Sequence, residues 1–277
     1  MTFPLDVETP RSPTALARPR DAHERAWAHQ RHEAVDLLGV RVHAVSTADA
    51  LDQIERWIVA RDRPRLVMTP DTTALMHAQS VPTLLDAYRR ADLVTADGTG
   101  LVWASRRLGQ PLPERVTGID LLGDLCRRSA DRRYRVFLLG SRPGVASAAA
   151  DVLRRRHPEL SIVGTRHGHF DRVQSEHVIK EINACAPDLL FVGMGVPRQE
   201  IWMADHAQTL NTPVVMGVGG SFDVLAGRVR RAPRRWQTLG LEWLWRAMWE
   251  PRRLWRARVI PRFMLQILTR KATSLSR

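Results

Sequence analysis

The feature that most narrows what this chain can fold into is a set of short, unbroken apolar runs of β-forming residues, each separated from the next by a longer helix-like stretch. They fall at residues 65–69 (RLVMT), 93–96 (LVTA), 134–139 (YRVFLL), 189–193 (LLFVG) and 214–218 (VVMGV). A strand with one wet face alternates apolar and polar residues, whereas one that is apolar throughout is buried on both faces. Such strands alternating with helices predict βαβ units and a parallel sheet, an α/β Rossmann-like core. Ligands of that architecture bind beyond the carboxyl ends of the strands, where helix starts present free N–H groups. Two turns there are rich in small residues, Gly140-Ser141-Arg142-Pro143-Gly144 and Gly193-Met194-Gly195, with Pro143 and Pro197 expected just inside the helices that follow. Either turn can face a diphosphate, or can carry glycine for steric reasons alone. Neither completes the G-x-G-x-x-G fingerprint of a dinucleotide-dependent oxidoreductase, nor a Walker pattern.

The chain divides into three by composition. Residues 1–34 hold Pro, Arg, Ala and His without apolar periodicity and read as a mobile extension. The α/β core is expected over residues 35–226, and a basic helical appendage over 227–277. The charge is concentrated in that appendage: eleven arginines and five tryptophans lie between residues 228 and 262, opposed only by Glu242 and Glu250. Leu241, Leu244, Trp245 and Met248 repeat at helical spacing, and Phe263, Met264, Ile267 and Leu268 form a second apolar stripe. Such a helix either docks on the protein's own core or lies in a membrane interface, where tryptophan suits the headgroup layer and arginine suits anionic lipid. The formal net charge of +13 calls for an anionic partner, and a nucleic-acid-binding protein is the rival reading. The arginines, however, follow no zinc-finger, basic-zipper or RNA-recognition pattern. No apolar run approaches the ~20 residues that span a bilayer, no signal-peptide core is present, and the two cysteines, Cys126 and Cys185, suggest neither a disulfide framework nor a metal site. The expected location is the cytoplasm, with peripheral attachment to the inner face of the membrane.

Several residues at predicted strand ends could carry chemistry. Asp97, in Ala-Asp97-Gly98-Thr-Gly100, follows the run at 93–96 and suits either a general base or a turn and helix cap. Arg115 could hold phosphate or be a surface charge, and Gln199 could read sugar hydroxyls from a helix's first turn, where Glu200 would favour the helix dipole.

The runs ADGTG, ERVTG, FLLGSRPG, DLLFVGMGVPRQE, GVGGSFDVLAG, RAP, LEWLWR and EPRR, in order from about Asp36 to about Arg258, resemble the WecG/TagA/CpsF glycosyltransferases. The resemblance implies an inverting, metal-independent enzyme with no cofactor, which moves a sugar of N-acetylmannosamine, glucose or uronic-acid type. The donor would be a UDP-sugar and the acceptor a polyprenyl-diphosphate-linked glycan of exopolysaccharide, capsule or teichoic-acid-type biosynthesis. It makes Asp97 the catalytic base, Arg115 a brace for the diphosphate, Thr69 and Gln199 active-site contacts and Asp223 a nucleotide contact, while Arg246 and Arg253 of the appendage reach the leaving group. Asp71 stands where the family often has Asn and His169 where it often has Tyr, and both bear on the donor sugar. Metal-dependent transferases commonly present paired aspartates to a divalent cation, and this chain contains no Asp-x-Asp.

Overall fold

The computed structural model describes residues 34–233, 235, 236, 245 and 258–274. The expected N-terminal extension up to residue 33 and most of the Arg/Trp-rich stretch lie outside the described residues. The chain opens with an antiparallel hairpin of β1 (Ala34–Leu37) and β2 (Val40–His43), followed by α1 (Thr47–Ala60). Next come β3 (Arg65–Met68), α2 (Thr72–Ala78), α3 (Pro82–Arg90), β4 (Leu93–Val94), α4 (Thr99–Arg107) and α5 (Gly118–Arg132). The second half runs β5 (Arg135–Gly140), α6 (Val145–Arg156), β6 (Ser161–Arg166), α7 (Arg172–Ala184), β7 (Leu189–Gly193), α8 (Arg198–His206), β8 (Val214–Gly217) and α9 (Ser221–Leu225), and α10 (Val259–Ser274) comes last.

Strands β3 to β8 form one sheet in the order β4-β3-β8-β7-β5-β6, with every neighbouring pair parallel. Their pleat sends successive side chains to opposite faces. Val136 and Leu138 of β5 join a core with α1, α5 and α6, while Phe137 and Leu139 join a second core with α2, α3, α4, α7 and α8. Leu189 and Phe191 against Leu190 and Val192 divide in the same way on β7. The sheet is therefore covered on both sides, as its apolar runs require, and all strands end at one edge.

Two parts of the fold do not show as apolar runs. The β6 strand (SIVGTR) lies at the sheet's edge, where half-buried positions tolerate polar residues and Gly164. The hairpin turns at Leu38 and Gly39, both at positive φ, with the Gly39 N–H bound to Asp36 Oδ1 at 3.0 Å. It guards the other edge: His43 Nδ1 accepts the outward Val94 N–H of β4 at 3.0 Å, where an open strand would invite pairing. Both prolines sit earlier than expected: Pro143 precedes Gly144, the cap of α6, by one residue, and Pro197 is itself the cap of α8. On α10, Phe263 and Ile267 are buried, whereas Met264 and Leu268 of the same expected stripe are exposed.

The bulge between β5 and β6 depends on one glycine. A Cβ at Gly164 would lie 2.3 Å from the Phe137 ring, which is fully buried and cannot swing aside. Gly164→Ala should destabilise the protein by about 1–3 kcal/mol, read as a fall of several degrees in Tm, and Phe137→Leu in the same chain should recover part of it. An unchanged Tm for the single variant would contradict this packing.

Candidate active site

At the carboxyl edge of the sheet, backbone hydrogen bonds first place the loops and the loops then place the side chains. Beyond β4, Thr95 N–H binds Met68 O at 2.9 Å and Asp97 N–H binds Pro70 O at 3.0 Å, so the chain stays alongside the continuation of β3 as far as the aspartate. The loop carrying Arg115 is tied to the same segment, since Val116 N–H donates to Ala96 O at 3.0 Å and Thr95 Oγ1 donates to Val116 O at 3.1 Å. That loop ends at the N-cap of α5, Thr117, and the first residue of α5, Gly118, donates its N–H to Asp97 Oδ2 at 3.0 Å. The start of a 15-residue helix thus aims at the Asp97 carboxylate and favours negative charge there.

Thr69 lies between Gly118 and the end of β8. Its Oγ1 donates to Gly217 O at 3.3 Å, and a Cβ on Gly118 would come within 2.6 Å of that oxygen. Asp71 caps α2 by accepting Ala74 N–H at 2.8 Å, and its Cα lies 3.7 Å from where a Cβ of Gly98 would be. An asparagine would cap equally well. Gln199, on the first turn of α8, is buried: its Oε1 accepts Gly219 N–H at 3.0 Å and its Nε2 donates to Glu200 Oε1 at 2.7 Å. Thr69, Asp71, Asp97 and Gln199 are thereby gathered at one end of the edge, around the ends of β3, β4 and β8, with the half-buried Arg115 on the adjoining loop.

The other end is built around Asp223. Its Oδ2 accepts a 2.9 Å hydrogen bond from Ser141 Oγ, which joins α9, the helix after β8, to the turn after β5 across the end of β7. The crossing is close. A Cβ on Gly193 would meet the Phe222 ring at 2.8 Å and Gly219 O at 2.9 Å, and one on Gly140 would meet Gly193 O at 2.3 Å. Exposed His169 adjoins this end through Gly168, whose N–H binds Ser141 O at 2.9 Å. Arg246 and Arg253 lie outside the described residues. The chain leading toward them is anchored by Arg231, which donates to Asp120 Oδ1 at 2.6 Å, and by buried Ala232.

Glu200 lies in the first turn of α8, where a carboxylate favours the helix start, but it is buried. It is 2% exposed, its Oε2 has no hydrogen-bond partner, and burial pushes its carboxyl up to about 7, with the nearby Asp71 charge pushing the same way. The signal was in the spacing: Glu200 stands three and four residues before Met203 and Ala204, on the buried face of α8. Among the described residues no cluster of three or more His, Cys, Asp or Glu is arranged to hold a metal ion.

Comparison with known proteins gives this geometry a context. The model of the Glycosyl transferase WecG/TagA/CpsF family matches residues 35–277. Curated proteins of Staphylococcus aureus strains MW2, NCTC 8325 / PS 47 and COL are each 36% identical over 238 residues, 86% of this chain and 93% of theirs. All three are named N-acetylglucosaminyldiphosphoundecaprenol N-acetyl-beta-D-mannosaminyltransferase. The match runs through every element of the α/β core and every candidate site residue, so the chain belongs to the WecG/TagA/CpsF family and is a glycosyltransferase.

Proposed function

We propose that this enzyme transfers an N-acetylmannosaminyl-type sugar from a UDP-sugar to a polyprenyl-diphosphate-linked acceptor bearing N-acetylglucosamine, with inversion and without a metal ion, in cell-surface polymer biosynthesis. The observation that carries this reading is the Asp97 carboxylate, fixed through Gly118 N–H beside Thr69 at the carboxyl edge of the sheet. From β4 to β5 the edge spans four strand spacings, on the order of 19 Å, room to lay a nucleoside, a diphosphate and a sugar in line. Asp223 and Ser141 at one end suit the nucleoside, and Asp97 at the other suits the reacting carbon. The relatives' names supply the donor residue and the acceptor.

In the reaction Asp97 accepts the proton of an acceptor hydroxyl while that oxygen bonds to the anomeric carbon from the face opposite the diphosphate. The carbon's bond to the diphosphate oxygen breaks and its electron pair leaves with UDP, so a single displacement inverts the centre. The growing charge on the leaving group needs compensation. With no Asp-x-Asp in the sequence, the candidates are Arg115, the helix starts at the same edge, and Arg246 and Arg253. Asp97→Asn keeps the shape and cannot take the proton, so turnover should fall by about 10²–10⁴ while UDP affinity, measured by calorimetry, stays near wild type. Substantial turnover by the folded variant would remove Asp97 from this role.

A lipid-linked acceptor presents its diphosphate at the headgroup layer, and α10 supports peripheral attachment there on the cytoplasmic side. None of the described helices is long and apolar enough to cross a membrane. Phe263 and Ile267 hold α10 to the core, leaving Met264, Leu265 (63% exposed) and Leu268 outward with the exposed Arg258 and Arg262. Apolar residues beside arginine suit an anionic interface. Leu265→Glu with Leu268→Glu should abolish flotation with anionic vesicles without lowering Tm; retained flotation would place attachment elsewhere.

A further inference from the structure

Glu200 and Asp188 are both buried carboxyls, and they are treated differently. Asp188 pairs with Arg61 and accepts the Arg135 N–H at 2.8 Å, whereas Glu200 faces no cation among the described residues. The groups around Glu200 make an ionised carboxyl costly there. Tyr88 of α3 is 2% exposed with its hydroxyl also unpartnered, and Asp71 adds negative charge from the cap of α2. Arg90 of α3 is committed to the Ala204 carbonyl, and on its own helix Arg198 is turned to the Phe170 carbonyl, while Asp205 and His206 lie at the far end. A carboxyl kept under these conditions calls for a reason, and its hydrogen bond to another side chain leads to the site.

That bond runs from Gln199 Nε2 to Glu200 Oε1 at 2.7 Å, while the other end of the amide accepts Gly219 N–H at 3.0 Å. A glutamine amide can rotate by half a turn with little change of shape, exchanging its donor and acceptor ends. Here the wrong orientation would set the NH₂ group against Gly219 N–H, donor facing donor. Glu200, which offers an acceptor on the other side, selects the right one. The turn so held is the one after β8: Gly217, where a Cβ would come within 2.8 Å of Gln199 Nε2, also receives the Thr69 hydroxyl through its carbonyl.

We infer that Glu200 is a positioning residue, which orients the Gln199 amide and through it holds residues 217–219 in register with Thr69 and Asp97. The inference rests on the proposed reading of this edge as the donor and catalytic site. Its consequence is a coupling: the contribution of Glu200 to turnover is expressed only while Gln199 is present.

The test is a double-mutant cycle in the full-length enzyme, measuring kcat and KM for the UDP-sugar with a soluble acceptor analogue. Glu200→Ala should lower kcat by on the order of 10- to 100-fold, and Glu200→Gln, which keeps a carbonyl acceptor, should recover most of it. Glu200→Ala with Gln199→Ala should be no worse than Gln199→Ala alone. Glu200→Met, which fills the same volume without an acceptor, replaces the alanine variant if that one fails to fold. Multiplying effects in the double variant, or equal losses for Gln and Ala at position 200, would overturn the inference. An inactive wild type would instead refute the assigned donor or acceptor and leave the coupling to be read in UDP affinity.

Stability gives an independent readout. A carboxyl whose folded pKa is raised from 4.5 to about 7 favours the folded state below its unfolded pKa, and that contribution is lost as pH rises through about 7. The Tm of the wild type should therefore fall relative to that of Glu200→Gln as pH rises from about 4.5 to about 7, and the difference should level off above that. A constant difference would contradict the buried setting on which the inference depends.

Discussion

The site depends on how closely two backbone segments, the start of α5 and the end of β8, approach Thr69 at the end of β3. Gly118 and Gly217 each sit where a side chain cannot fit, one against the Thr69 hydroxyl and the other against the Gln199 amide. Because those positions are bare, the start of α5 can reach Asp97 with its N–H and the turn after β8 can reach Thr69 with its carbonyl. A methyl group at either would push apart elements that the sheet otherwise aligns. The parallel sheet brings all its strand ends to one edge, and the glycines bring those ends within hydrogen-bond reach.

The electrostatics follow from the same arrangement. Parallel strands require a crossover helix after each one, so helix starts collect at the carboxyl edge and present N–H groups to it. One of them holds the Asp97 carboxylate, proposed to accept a proton, and others face the region where a diphosphate would gain charge. Deeper in the protein the rule is reversed: Glu200 sits without a cation and its carboxyl is pushed up to about 7. The edge is thus suited to anions, and immediately beneath it lies a position that makes a charge costly.

The sequence made the central strands legible because burial on both faces leaves an unbroken apolar run, which few other structures produce. It hid β6 because an edge strand is half wet and can mix Ser, Gly, Thr and Arg. The hairpin escaped because its alternating residues serve one face only. At the site, Asp97 could be located from its place just past a strand run and Gln199 from its place on a helix's first turn, whereas Thr69 is pointed to only by the family resemblance. The pairing of Ser141 with Asp223, 82 residues apart, could not be located, since it is created by the strand order. The burial of Glu200 was hidden for a related reason. A carboxylate in a first turn ordinarily faces water, and only the packing of α8 against α3 decides that this one does not.

The central claim is that nucleotide and catalytic carboxylate share the carboxyl edge of this sheet. Hydrogen–deuterium exchange of the full-length protein with and without saturating UDP tests it without relying on turnover. Binding there should slow exchange in the turns after β5, β7 and β8, at residues 140–144, 193–199 and 217–223, and extend to the loop at 97–100. A separate cavity, lined by Phe170, Trp202 and His206 on the flank of α7 and α8, should be unaffected. Protection confined to that flank, with the strand-end turns exchanging as in the free protein, would contradict the account.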